Sequence, residues 1–221
     1  MLNWPRALCM EGLVAGLGGV CVGVDRADSR LHDLRDFDGH AVGRLETAMW
    51  RSYYEHRPLR LLGELSELLR CQYHLPFWRS CAGAYYAAHA AELFQAGTSR
   101  SDYERALPDL RRYYSVIRRS SMTDFDVNRV AVLELEWWIV HRERAKHSPA
   151  ELYHALAELQ AAIYEMPGEP FAEHARIRGD AMLLRDARGT AIVEGDWRRI
   201  AKCWTNRGWQ CGTCPALVSA L

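Results

Sequence analysis

The chain has 221 residues, 49% of them apolar, and its 28 basic and 28 acidic side chains cancel. That length and apolar content suit one domain with a sizeable core. The balanced charge gives no basic excess of the kind a nucleic-acid binder carries, and there is no acidic tail.

The first stretch, Leu13 to Val24, is apolar and Gly-rich with Arg6 upstream. Glu11 interrupts its flank and no Ala-x-Ala cleavage site follows before Asp25, so it does not read as a signal peptide. Gly16, Gly18 and Gly19 precede the Val20-Cys-Val22 run instead of following a strand, the reverse of a dinucleotide fingerprint. Residues 1–38 are expected to form a loosely ordered arm. No run of about 18 apolar residues is free of glycine breaks, so no membrane span is expected.

From residue 39 the punctuation is helical. A first helix is expected from Gly39 to Arg57, where Pro58 ends or kinks it, and Leu61, Leu62, Leu65, Leu68 and Leu69 carry the pattern on to Tyr73. Pro76 suits the first turn of the next helix, which Gly97 closes. Ser101 and Glu104 have the spacing of a capping box, and Pro108 opens a helix reaching Arg119. Asp126 closes the segment that introduces the most apolar helix of the chain. Ser148, Pro149 and Glu151 form a strong start signal, followed by the stripe Leu152, Leu156, Leu159, Ile163 and Met166. Pro167-Gly168 stops that helix, another spans Pro170 to Arg188, and a last one surrounds Trp197. Alternating strand patterns are absent. The expectation is an all-α antiparallel bundle of six or seven helices over residues 39–204, with an irregular tail at 205–221.

Seven cysteines make an odd count without framework spacing. Only Cys211 and Cys214 form a C-x-x-C, and it lacks the second half of a zinc site. A reducing, cytoplasmic setting is expected.

Chemistry is concentrated on three helix faces. At about 100° per residue, Glu134, Trp137, Trp138 and His141 share a face with Val127, Val130 and Ala131. A carboxylate and an imidazole among tryptophans need partners or must change protonation state. Glu46, Trp50, Tyr53, Tyr54 and Arg57 lie on one face of the first helix, and Trp78, Tyr85, His89 and Glu92 on one face of the helix after Pro76. Glu136 falls with Arg129, Glu143 and His147 on the polar side and is expected at the surface or in an interface.

If the faces converge, they enclose a small-molecule pocket. Glu134, His141 and Glu46 would be its acid/base groups, with His141 as Glu134's partner across the site, and Trp50, Tyr53, Tyr54, Tyr85 and Trp138 would hold the ligand. An alternative is a metal-dependent, di-iron oxidase using Glu46, His89, Glu92, Glu134 and His174, by analogy with carboxylate-bridged helical bundles. A third is an interaction module with a purely structural polar core, its leucine stripe partly spent on a homodimer interface. In that core Glu46 would pair with Arg57 or Arg142, and Tyr53 or Tyr54 would donate to Glu134.

Three segments, Arg44 to Gly63, Tyr103 to Ser115 and Glu134 to Ser148, are similar to an uncharacterised family of small bacterial helical proteins. The resemblance extends over roughly residues 30 to 200 and implies a helical, bacterial, cytosolic protein. It carries over no activity, cofactor or catalytic residue.

Overall fold

The computed structural model describes residues 30–205. The fold is all-α, as expected. The helices are α1 (Gly39–Tyr54), α2 (Pro58–Tyr73), α3 (Phe77–Ala96), the single turn α4 (Arg100–Tyr103), α5 (Leu107–Arg118), α6 (Val127–Arg142), α7 (Pro149–Tyr164), α8 (Ala172–Arg188) and α9 (Glu194–Cys203). The Cys211/Cys214 pair and most of the expected N-terminal arm lie outside the described residues.

Local chemistry sets the boundaries. Asp38 caps α1 by accepting from the backbone N–H groups of His40 and Ala41 at 2.9 and 3.2 Å. Pro58 ends α1 and starts a separate α2, with His56 taking the left-handed conformation in the turn between them. Asp126 caps α6, and Ser148 and Glu151 form the expected capping box at α7. The box before α4 differs from expectation: Ser99 and Asp102 form it, two residues before Ser101 and Glu104. Asp102 there accepts from the backbone N–H groups of Thr98 and Ser99.

Short connections make sequence neighbours antiparallel. Each of the longer helices packs on its predecessor, and α9 packs on both α8 and α1. The helices therefore close into a ring. Ion pairs reinforce the closure, Arg51 of α1 with Glu194 of α9 at 2.8 Å and Arg188 of α8 with Asp196 of α9 at 3.3 Å. Trp197, Ile200 and Trp204 bury their side chains at this seam. The stripe on α7 is spent inside the chain, since Leu152, Leu156, Leu159 and Ile163 are all buried. It is therefore not the surface for self-association that the sequence left open.

Part of the segment expected as an arm packs on the helices. Leu34 and Phe37 are buried in the core. His32 pairs through its backbone with the segment after α5, its N–H to Ser120 O and its carbonyl from Met122 N–H, both at 2.9 Å. Among the described residues no helix is long and apolar enough to cross a membrane.

Gly43 is required by the seam. A Cβ there would lie 2.9 Å from the backbone carbon and oxygen of Trp204, which cannot rotate away as a side chain could. Gly43→Ala gains up to about 1 kcal/mol of helix propensity but meets an overpacking cost of about 1–3 kcal/mol. We expect a net loss of about 1 kcal/mol in chemical denaturation. A stabilised Gly43→Ala variant would contradict the close approach.

Candidate functional site: an aromatic cavity inside the helical ring

The ring holds an open cavity of about 500 Å³ lined from α1, α2, α3, α5, α6, α7 and α8. It exists because the helices contribute unequal side chains. α3 presents Ala87, Ala88 and Ala91, whereas α1 and α6 present Trp50, Tyr53, Tyr54, Trp137 and Trp138. Methyl groups facing rings leave space that the rings alone would fill.

Deep in the cavity, Glu46 is 2% exposed. Arg178 of α8 meets it at 2.5 Å. The same guanidinium lies 5.9 Å from the centre of the Trp137 ring. The partner expected for Glu46 was Arg57 or Arg142. Arg57 instead lies near Glu55 at 3.2 Å. Arg142 donates to the carbonyls of Phe94, Gln95 and Gly97 at 2.9, 3.2 and 3.0 Å, and lies over the Phe94 and Tyr103 rings. It thereby satisfies the open C-terminal end of α3.

Glu134 also lines the cavity, but its partners are neutral. Tyr114 donates its hydroxyl to Oε2 at 2.7 Å, and Trp138 donates its indole N–H to Oε1 at 2.9 Å. The phenol comes from α5 and not from the expected Tyr53 or Tyr54. Burial drives the Tyr114 hydroxyl well above its ordinary proton affinity, and the Glu134 charge reinforces this. Burial does the same to Tyr73 and Tyr113. These phenols are neutral donors at ordinary pH. Each oxygen of Glu134 accepts one bond here, and carboxylate oxygens have capacity for a further donor from the cavity.

One wall over, His141 pairs with Asp186 of α8 and not with Glu134. Their side chains touch at 2.9 Å without the alignment of a hydrogen bond. Arg144 and Arg185 each approach Asp186 at 3.6 Å. Burial pushes the Asp186 carboxyl up, but these neighbours outweigh it and hold it below the usual carboxylate range. Arg185 also sits 3.3 Å above the centre of the Tyr54 ring, a cation–π contact. Seven residues separate Glu134 from His141, about 10 Å along the α6 axis.

The ring thus brings together Glu46, Trp50, Tyr53, Tyr54, Glu134, Trp138 and His141. It leaves Tyr85, His89, Glu92 and His174 outside the lining. Tyr85 is 38% exposed and stacks on His89 with ring centres 5.9 Å apart. His89 Nδ1 lies 2.6 Å from the buried carboxylate of Asp109, which also accepts from Arg112. Glu46, His89, Glu92, Glu134 and His174 therefore do not converge on one point, and the described residues contain no group of three or more metal-type ligands. Glu136 stands apart from Glu134 as expected, bonded by Arg100 on the polar side of α6. The sequence reading missed Tyr73, Tyr114, Arg178 and Asp186. Arg178 and Asp186 are eight residues apart on α8, about two turns, which places them on one broad face. That spacing was the available signal.

Two outcomes follow from this geometry. Arg178→Met leaves the Glu46 carboxylate buried beside an apolar chain and is expected to cost about 3 kcal/mol or more. Adding Glu46→Gln should recover part of that loss in a double-mutant cycle, and additive losses would show that the pair is not coupled. His174 is buried, and burial first, then the charge of Arg178, pushes its imidazole down from 6.5 to about 3. The unfolded chain takes up this proton near 6.5 while the folded chain does not until about 3. Stability is fully present above the unfolded value and falls with acidification across that window, by up to about 1.4 kcal/mol per pH unit. Urea denaturation at pH 7 and pH 5 should show about 2 kcal/mol more loss for the wild type than for His174→Gln. Equal losses would remove the imidazole as the cause.

No family model, no curated protein and no solved structure matches the chain.

Proposed function

We propose that this protein binds a small organic molecule in the central cavity, with Glu134 as the polar anchor. The observation that carries the proposal is a carboxylate presented inside an aromatic-walled space of about 500 Å³ and held there by Tyr114 and Trp138. Small-molecule sites typically have volumes of about 300–1,000 Å³, mostly apolar walls and a few convergent polar groups. The two donors fix the rotamer of Glu134 before any ligand arrives, which lowers the entropy cost of binding. Glu134 and the His141–Asp186 pair are also the groups that would move a proton if the bound molecule reacts. Glu46, already engaged with Arg178, is a positioning and structural charge in this scheme. The same proposal places the chain in a reducing, cytoplasmic compartment, supported by the unpaired Cys71, Cys81 and Cys203.

The test fills the cavity from α3. Ala91 lines it and is only partly buried, so Ala91→Trp inserts an indole into the free space. A thermal-shift screen of small organic compounds should find molecules that raise the wild-type Tm by several degrees, the effect of about 2.7 kcal/mol at a hundredfold excess over Kd. The same molecules should leave Ala91→Trp unmoved while that variant melts near the wild type. Compounds that stabilise both proteins equally would show that the cavity is not the site.

A further inference from the structure

Resting on that proposal, we infer that the molecule bound in the cavity is an organic cation, a primary or secondary ammonium whose N–H groups face Glu134. The inference comes from charge accounting among the three carboxylates that line the space. Glu46 has Arg178 at 2.5 Å. Asp186 has His141 at 2.9 Å, with Arg144 and Arg185 at 3.6 Å. Glu134 has a phenol and an indole N–H, and no ion pair with any described residue. It is the carboxylate of the cavity without a counter-ion, and an ammonium supplies one.

The walls agree with this assignment. Trp138, whose indole N–H already orients Glu134, lines the cavity, and Arg142 already lies over the Phe94 ring beside it, 5.2 Å from the centre. Aromatic faces attract a desolvated cation and do nothing for an anion. The cations that line the cavity already have partners, Arg144 among them beside Asp186 at 3.6 Å. Arg178 is engaged by Glu46, and Arg142 is held by three main-chain carbonyls. An anion beside Glu134 would meet a like charge that no ion pair compensates. Glu134 and His141 both line the cavity and stand about 10 Å apart along the α6 axis, which leaves room for an apolar body beside the ammonium group.

The experiment uses three probes of similar size and different charge: 2-phenylethylamine, 2-phenylethanol and 3-phenylpropionate. Binding is followed by calorimetry and by tryptophan fluorescence, to which the cavity residues Trp50, Trp137 and Trp138 contribute, at neutral pH. The amine is expected to bind about 10- to 100-fold tighter than the alcohol, the range for one charge-assisted hydrogen bond. The carboxylate should bind most weakly. Glu134→Gln should abolish the preference for the amine. Tyr114→Phe, which keeps the carboxylate, should preserve it, and this second variant decides the question if Glu134→Gln does not fold. Equal binding of amine and alcohol, or tighter binding of the carboxylate, overturns the assignment. If those other probes bind and Ala91→Trp blocks them, the cavity still stands as a ligand site and only its charge preference falls. If none of the three binds, the charge assignment falls, and the thermal-shift screen against Ala91→Trp decides the cavity proposal separately.

Discussion

The contact between Glu46 and Arg178 joins the first long helix to the eighth across the interior of the ring. Two charges taken out of water each lose several kcal/mol of hydration, and only close approach in a low-dielectric space returns it. The pair therefore adds little net stability over an apolar packing of the same shape. Its effect is on geometry. Once Glu46 is buried, α8 must present a cation at one height and one rotation. Trp137 of α6 then lies against that cation, at 5.9 Å from the ring centre. Three helices distant in sequence are thereby set in a common register, and the aromatic side chains that follow from α1 and α6 have a defined place to stand.

The cavity is a by-product of that register together with unequal side-chain size. Leu61, Leu65 and Leu68 of α2 and Leu159 and Ile163 of α7 form aliphatic wall, and α3 contributes alanines. A solid core would need larger groups on α3. Instead the phenols of Tyr73, Tyr113 and Tyr114 line the interior, kept neutral by burial. Polar atoms inside such a space are costly unless satisfied. The arrangement places cations beside Glu46 and Asp186 and gives Glu134 neutral donors. That difference in partner type separates a structural charge from one still able to receive a ligand.

Much of the fold was legible because helix ends are written in short-range chemistry. Asp126, Ser148 with Glu151, and Pro58 each do their work within four residues, so their spacing is enough to place a boundary. The first capping box slipped by two positions because Ser99-x-x-Asp102 and Ser101-x-x-Glu104 offer the same spacing. The earlier start is the one in which Asp102 accepts from the backbone of Thr98 and Ser99 while α4 packs on α3. The faces of α1 and α6 were likewise readable from their period, and they do meet. The partners were not. Whether Glu46 finds Arg57, Arg142 or Arg178 depends on which helix closes the ring, and no local pattern encodes that. His89 was drawn into the candidate metal set for the same reason. Its spacing to Glu92 fits a ligand pair, yet it bonds outward of the cavity to Asp109.

Arg142 shows what a planar ion can do that a point charge cannot. Its guanidinium reaches three carbonyl oxygens at the end of α3 while lying over the rings of Phe94 and Tyr103. A lysine keeps the charge but has neither the fork to span those acceptors nor the flat surface to stack. The last turn of α6 is thus bolted to a neighbouring helix by the residue next to His141. The wall of the chamber on that side is a fixed jamb, held by main-chain acceptors and so independent of what the chamber contains.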